Sequence, residues 1–218
     1  MTIGIAIATS DTVLLVADGR TTCAGKVDSE TTEKITVIRD DLAVISFGAV
    51  ICSSLALQWV QQGGAPVVGD EMATRVHGCV FADGSSVLQR VIPDPVTPLK
   101  LRVGLIAGGI DTNGAYLTGA VFSSETRETS SSTSRCVDTT LIRFVLGGEE
   151  AGASAYFDDL VKRTFASGVS DHRTIIPTLL QVAAQTVIFA GQTDPTIGGR
   201  IAFTLLRQGH LPQSGFLP

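Results

Sequence analysis

The chain has 218 residues, a length suited to one domain or two small ones. Hydrophobic residues make up 44% and charged residues 17%, below the roughly 25% of ordinary soluble domains, and the formal net charge is -5. This balance excludes intrinsic disorder, which needs low hydrophobicity and high net charge, and the scattered basic residues argue against nucleic-acid binding.

Ile3, Ile5 and Ile7 alternate with Gly4, Ala6 and Ala8, a period of two that predicts a strand packed on both faces. Ser10-Asp11-Thr12 predicts a turn, and Val13 to Ala17 a second strand ending at Asp18, together a hairpin. A polar connection over 19–33 follows. Ile35 to Ile38 and Leu42 to Phe47 then flank Arg39-Asp40-Asp41 as a second hairpin. A helix is predicted from Ala49 to Gln62, stopped by Gly63-Gly64, then a broken helix over 70–91 and a loop marked by Pro93, Pro95 and Pro98.

Leu101 to Ile106 and Ala115 to Phe122 predict strands joined across 108–114, followed by a Ser/Thr-rich segment from Ser123 to Ser134 that reads as a solvated connection. A strand over Leu141 to Leu146, a helix over Glu149 to Phe165, a helix from a Ser170 cap to about Ala190, and a closing strand over Ile201 to Leu206 complete the chain. No linker or repeat interrupts it, so residues 1–218 are expected to form one α+β domain of two stacked antiparallel sheets covered by helices.

The apolar runs are interrupted, at Ser46 and Gly48 in one and at Gln181, Gln185 and Thr186 in another. No membrane-spanning helix of about 18 or more apolar residues is therefore expected. No secretory leader pattern is visible, and the expected location is cytoplasmic. Cys23, Cys52, Cys79 and Cys136, like His77, His172 and His210, lack the spacing of a zinc site or disulfide framework. No metal or other cofactor is expected.

Several motifs fail on geometry. Ser170-Asp171-His172 has the letters of a hydrolase triad, but sequence neighbours cannot face one another as a triad requires. Gly152-Ala153-Ser154-Ala155-Tyr156 lacks the second glycine of a nucleophile elbow. The N-terminus is different. Thr2 follows Met1, and its small side chain favours removal of the methionine. Thr2 would then carry a hydroxyl nucleophile and an α-amine base on one residue. The amine's reference pKa of about 7.7 to 8.0 needs only a modest push downward, which a nearby ammonium supplies.

Four segments, Thr2-Ile3-Gly4-Ile5-Ala6, Leu15 to Thr22, Glu33-Lys34-Ile35 and Phe47-Gly48-Ala49, resemble the active β-type subunit of the proteasome and the bacterial heat-shock peptidase that shares its fold. The register is ungapped over nearly fifty residues. The resemblance implies the four-layer αββα sandwich of the N-terminal-nucleophile hydrolases. It implies Thr2 as nucleophile, Lys34 to lower the pKa of the amine, Asp18 to orient Lys34, and the Gly48 N–H to hold the oxyanion. It also implies Asp194 as the supporting aspartate in Thr193-Asp194-Pro195-Thr196-Ile197-Gly198-Gly199.

Two positions depart from the family's pattern. Ile197 stands where a serine is usual, and Leu146-Gly147-Gly148 replaces Gly-Ser-Gly. In the same register Thr21, Thr22, Thr32, Ser46, Val50 and Ser54 would face the substrate, small uncharged residues that imply cleavage after small or apolar side chains. The implied partners are a peptide or protein substrate, further copies of the chain in a ring or spiral, and an ATP-dependent unfoldase. The alternatives are a catalytically impaired self-assembling relative and a narrow-substrate amide hydrolase.

Overall fold

The computed structural model describes residues 2–23, 26–48, 50–62, 102–123, 128–136, 141–148, 152–166 and 172–217. These residues form an α+β structure in which every described strand pairing is antiparallel. The first sheet uses β1 (Gly4–Thr9), β2 (Thr12–Ala17), β10 (Ile142–Leu146), β11 (Ile201–Arg207) and β12 (Gln213–Leu217), in the order β10-β1-β2-β11-β12. The second uses β5 (Ile35–Arg39), β6 (Leu42–Gly48), β7 (Arg102–Asp111), β8 (Gly114–Ser123) and β9 (Glu128–Arg135) in sequential order. A small ribbon, β3 (Thr21–Cys23) with β4 (Lys26–Ser29), stands apart from both.

The alternation in β1 divides the core in two. Ile3, Ile5 and Ile7 join Leu14 and Val16 in a cluster with Phe157 of helix α2 (Ala153–Ala166) and Leu179, Ala183 and Val187 of helix α3 (His172–Thr193). Burying each of those isoleucines is worth about 1.5–3 kcal/mol. The small residues face the other way: Ala6, Ala8 and Ala17 pack with Val13 and Leu15 against Ala43, Ile45, Ile106 and Leu117 of the second sheet. The two sheets therefore stack face to face.

Glycines bring the sheets close. A Cβ on Gly4 would lie 3.1 Å from Ile45 Cγ2, and one on Gly108 would lie 2.5 Å from Val13 Cγ1. On the outer side of the second sheet Leu42 and Val44 are also buried, and helix α1 (Val50–Gln62) contacts β6 and β7.

Four elements differ from their sequence reading. Part of the polar connection over 19–33 is the ribbon β3–β4. β7 continues through Gly108 and Gly109 to Asp111, leaving Thr112-Asn113 as the turn, because both glycines are covered by side chains: a Cβ on Gly109 would lie 2.5 Å from the Tyr116 ring. The Ser/Thr-rich segment is largely an edge strand rather than a solvated connection. Thr133 and Thr118 share a hydroxyl hydrogen bond of 2.8 Å across the β8–β9 pair. β12, absent from the reading, is admitted by Gly215, which lies beneath the Phe203 ring.

α3 runs unbroken through Gln181, Gln185 and Thr186. The Thr186 hydroxyl donates to the Val182 carbonyl at 2.9 Å, which satisfies it inside the helix. The segment Ile175–Thr193 is thus long and apolar enough to cross a membrane by length and composition, contrary to the expectation of interrupted runs. In this fold its residues Ile176, Leu179, Val182, Ala183, Val187 and Ala190 are buried in the cluster shared with the first sheet. The predicted Gly63-Gly64 stop, the helix over 70–91, the loop at 93–98 and the Ser170 cap lie outside the described residues.

Candidate active site

The β1–β2 ladder sets Gly4 opposite Ala17, so the next pair outward is Ile3 with Asp18. There the Asp18 N–H donates to the Ile3 carbonyl at 3.3 Å, and the Ile3 N–H donates to Asp18 Oδ1 at 3.0 Å. Asp18 is thereby fixed beside Thr2 by two backbone contacts to Thr2's neighbour. Lys34 comes from the other sheet, one residue before β5, where its carbonyl accepts the Ser46 N–H at 2.9 Å.

The Lys34 ammonium donates to Asp18 Oδ1 at 2.9 Å, to Thr2 Oγ1 at 2.9 Å and to the Arg20 carbonyl at 2.6 Å. An ammonium has three N–H groups and no lone pair, so this set consumes every donor and leaves Lys34 unable to accept a proton while charged. Asp18 is fully buried and Lys34 is 5% exposed. Burial pushes the Asp18 carboxyl above its ordinary range, opposed by Lys34 and by the N–H groups of Gly198 and Ile3. Burial likewise pushes Lys34 below the ordinary lysine range, opposed by Asp18. The full set of donors and acceptors favours the charged pair, since a buried ion pair is tolerable only when its remaining valences are filled.

The loop after α3 closes the site from a third direction. The Gly198 N–H donates to Asp18 Oδ2 at 3.2 Å, and the Gly198 carbonyl accepts from the N–H groups of Gly19 and Arg20 at 3.1 and 2.9 Å. The Arg20 side chain lies over the same loop, donating to the carbonyls of Pro195 and Ile197, while Glu30 binds its other edge. On the remaining side Gly147, at φ 85°, is pressed against the Thr2 backbone. Arg20, Glu30, Gly147 and Gly198 had no assigned role in the sequence reading. Arg20 follows Asp18-Gly19 and the Gly198-Gly199 pair is plain in the sequence, but nothing in the sequence joins them.

The structure therefore brings Thr2, Asp18 and Lys34 into one hydrogen-bonded group. Gly48 lies outside that group, exposed at the end of β6 with φ 95°, a conformation that L side chains rarely adopt. Asp194 turns instead to its own loop, accepting the Thr196 N–H at 2.8 Å and the Thr196 hydroxyl at 2.6 Å. Ile197 is 1% exposed and belongs to the cluster of Ile3 and Ala190. Gly148 has φ 65°, and a Cβ there would sit 3.1 Å from Ala153 Cβ. Those two positions serve backbone turning and apolar packing.

Among the expected substrate-facing residues, the Thr21 and Thr32 hydroxyls lie 3.2 Å apart, and the Thr32 N–H donates to the Gly19 carbonyl at 2.9 Å. Thr22 and Ser46 are half-buried, Ser54 is exposed on α1, and the Val50 side chain and Met1 lie outside what is described. Among the described residues no three His, Cys, Asp or Glu side chains converge as metal ligands would. Neither a scan against models of protein families nor a search of curated proteins returns a match to this chain.

Proposed function

We propose that the chain is a threonine-type N-terminal-nucleophile amide hydrolase, a peptidase of proteasome β type that acts through Thr2 once Met1 is removed. The observation that carries this reading is the Lys34 ammonium, hydrogen-bonded at 2.9 Å to both the Thr2 hydroxyl and the buried Asp18 carboxylate. An internal lysine that costs so much to bury is an unusual ornament for a strand end, and it faces the one residue that can carry both nucleophile and base.

In this reading Thr2 Oγ adds to the substrate carbonyl carbon as its proton passes to the Thr2 α-amine. Lys34, with all its protons engaged, cannot serve as that base; its positive charge lowers the pKa of the amine instead. The Gly48 N–H would stabilise the oxyanion, a contribution of about 3–4 kcal/mol for one such donor. The α-ammonium then protonates the leaving amine, the C–N bond breaks, and an ester to Thr2 remains. Water, deprotonated by the same amine, cleaves that ester and regenerates the hydroxyl. The small hydroxylated set of Thr21, Thr32 and Ser46 would favour small or apolar residues before the scissile bond.

The reading extends to the fold and assembly. α2 and α3 on one sheet and α1 against the other would be the outer layers of an αββα sandwich, and the cytoplasmic chain would assemble as a ring or spiral served by an unfoldase. Its apolar composition supports self-assembly. A second reading, the impaired relative or narrow-substrate amide hydrolase, is favoured by Ile197 and Gly148, which leave no serine hydroxyl at either position. An epoxyketone, which reacts with hydroxyl and amine together, separates the two. Its adduct on the N-terminal peptide of Met1-free protein is expected, and an unmodified Thr2 in that protein counts against the hydrolase.

A further inference from the structure

We propose that Glu30 is a positioning residue for this site: by holding the Arg20 guanidinium against the 195–198 turn, it keeps Asp18 and Lys34 aligned on Thr2. Arg20 Nε donates to both Glu30 carboxylate oxygens at 3.1 Å, and the second terminal nitrogen lies 3.1 Å from Glu30 Oε1. The remaining terminal nitrogen donates to the Pro195 carbonyl at 2.7 Å and the Ile197 carbonyl at 3.2 Å. The guanidinium is a rigid fork, so gripping one edge orients the other.

The same turn presents the Gly198 N–H to Asp18 Oδ2, and the Arg20 carbonyl is itself an acceptor for Lys34. Arg20 therefore touches the catalytic group through its backbone and the turn through its side chain. The rest of Glu30 is built into the contact as well. Its carbonyl accepts the Arg200 N–H at 2.8 Å, and a Cβ on Gly199 would lie 2.5 Å from that carbonyl and 2.6 Å from Glu30 Oε2. As an exposed ion pair Arg20–Glu30 contributes little to stability. Its geometric link to Asp18 is the more informative feature.

The proposal rests on the Thr2 reading for what the alignment is used for, but its decisive measurement does not involve hydrolysis. Lys34 is one of four lysines, with Lys26, Lys100 and Lys162, so its Nζ titration can be followed by NMR in lysine-labelled protein and assigned with Lys34→Arg. Glu30→Gln is compared with wild type, with Gly198→Ala and with Asp159→Asn. Gly198→Ala adds a Cβ 3.0 Å from the Arg20 guanidinium carbon without changing charge, and Asp159→Asn removes an exposed pair with Arg163 away from the site.

The Lys34 midpoint is expected to fall by about half a unit or more in Glu30→Gln and Gly198→Ala, because Asp18 is less well held. It should stay at the wild-type value in Asp159→Asn. Measurements at about 0.1 M and 1 M salt remove the through-space effect of the lost carboxylate, which fades as the screening length shortens. On a peptide substrate Glu30→Gln should lower kcat about tenfold with KM nearly unchanged, the signature of a misaligned nucleophile. A Lys34 midpoint unmoved in Glu30→Gln at high salt overturns the proposal, whatever Gly198→Ala does, because the Gly198 N–H binds Asp18 directly. An inert but processed wild-type chain would instead overturn the hydrolase reading and leave the Lys34 titration to decide the role of Glu30.

Discussion

Gly147 is packed so tightly against Thr2 that a Cβ on it would lie 1.8 Å from the Thr2 carbonyl oxygen. Its φ of 85° adds a second constraint, since a non-glycine residue in that region costs about 1–2 kcal/mol. Gly147→Ala must move either the 147–148 turn or Thr2 itself. Destabilisation of at least about 2 kcal/mol is expected by denaturant titration, with a loss of about a hundredfold in the proposed peptidase activity from displacement of Thr2, the proposed nucleophile. A variant with wild-type activity would show that Thr2 does not need the position seen here.

The Asp18–Lys34 pair predicts a pattern across variants. Asp18→Asn strands a buried ammonium and Lys34→Met a buried carboxylate, each expected to cost about 3–5 kcal/mol. The double variant should be far closer to wild type than the sum of the two, because the charges leave together. The pH dependence follows from the directions of the shifts. Asp18 is raised, so its contribution is present below the ordinary carboxylate range and is lost as pH rises through the raised value. Lys34 is lowered, so stability is regained as pH climbs from its depressed value toward about 10.4. Wild-type stability relative to the double variant should therefore be lowest near neutrality. Urea midpoints that give a maximum there would show that the attraction between Asp18 and Lys34 outweighs the cost of burying their charges.

Activity should carry the same lysine on its alkaline side. If Lys34 must remain charged to depress the Thr2 amine, kcat falls as Lys34 deprotonates, below the ordinary lysine value of about 10.4. The acid limb belongs to the amine and should lie below its reference of about 7.7–8.0. Lys34→Arg, which does not titrate, should lose rate but abolish the alkaline limb. An unchanged alkaline limb in that variant would assign it to another group.

What could be read ahead of the structure follows the range of the contacts. Thr2 is legible from its place behind Met1, and Asp18 and Lys34 only through the resemblance of their segments to the proteasome β subunit, whereas the Ile and Gly/Ala faces of β1 announce the two-sided burial directly. Arg20 with Pro195 and Gly198 with Asp18 join residues far apart in sequence through backbone atoms, for which side-chain identity gives no signal. Asp194 read as a site residue from its motif, but its local geometry, an Asx turn closed by Thr196, competes for the same carboxylate. The hydroxyl-rich β9 was missed because its strand character comes from pairing with β8 rather than from apolar alternation.

Phe47 links the sheet core to the site. Its ring lies across Gly104 on the neighbouring strand, where a Cβ would fall 2.1 Å from ring atom Cζ and 2.7 Å from Cε1 and Cε2. Phe47 is 6% exposed and immediately precedes Gly48, so the ring anchors the end of β6 that carries the proposed oxyanion donor. Gly104→Ala is expected to destabilise by about 1–3 kcal/mol through overpacking. It should also reduce kcat more than the milder Phe47→Leu, because the displaced ring pulls on Gly48. Combining the two substitutions removes the clash and should recover part of the loss, with a coupling of about 0.5–3 kcal/mol in denaturation. Additive effects in stability would mean that the added methyl is accommodated elsewhere. A stability recovery without recovery of kcat would detach Gly48 from the packing of Phe47.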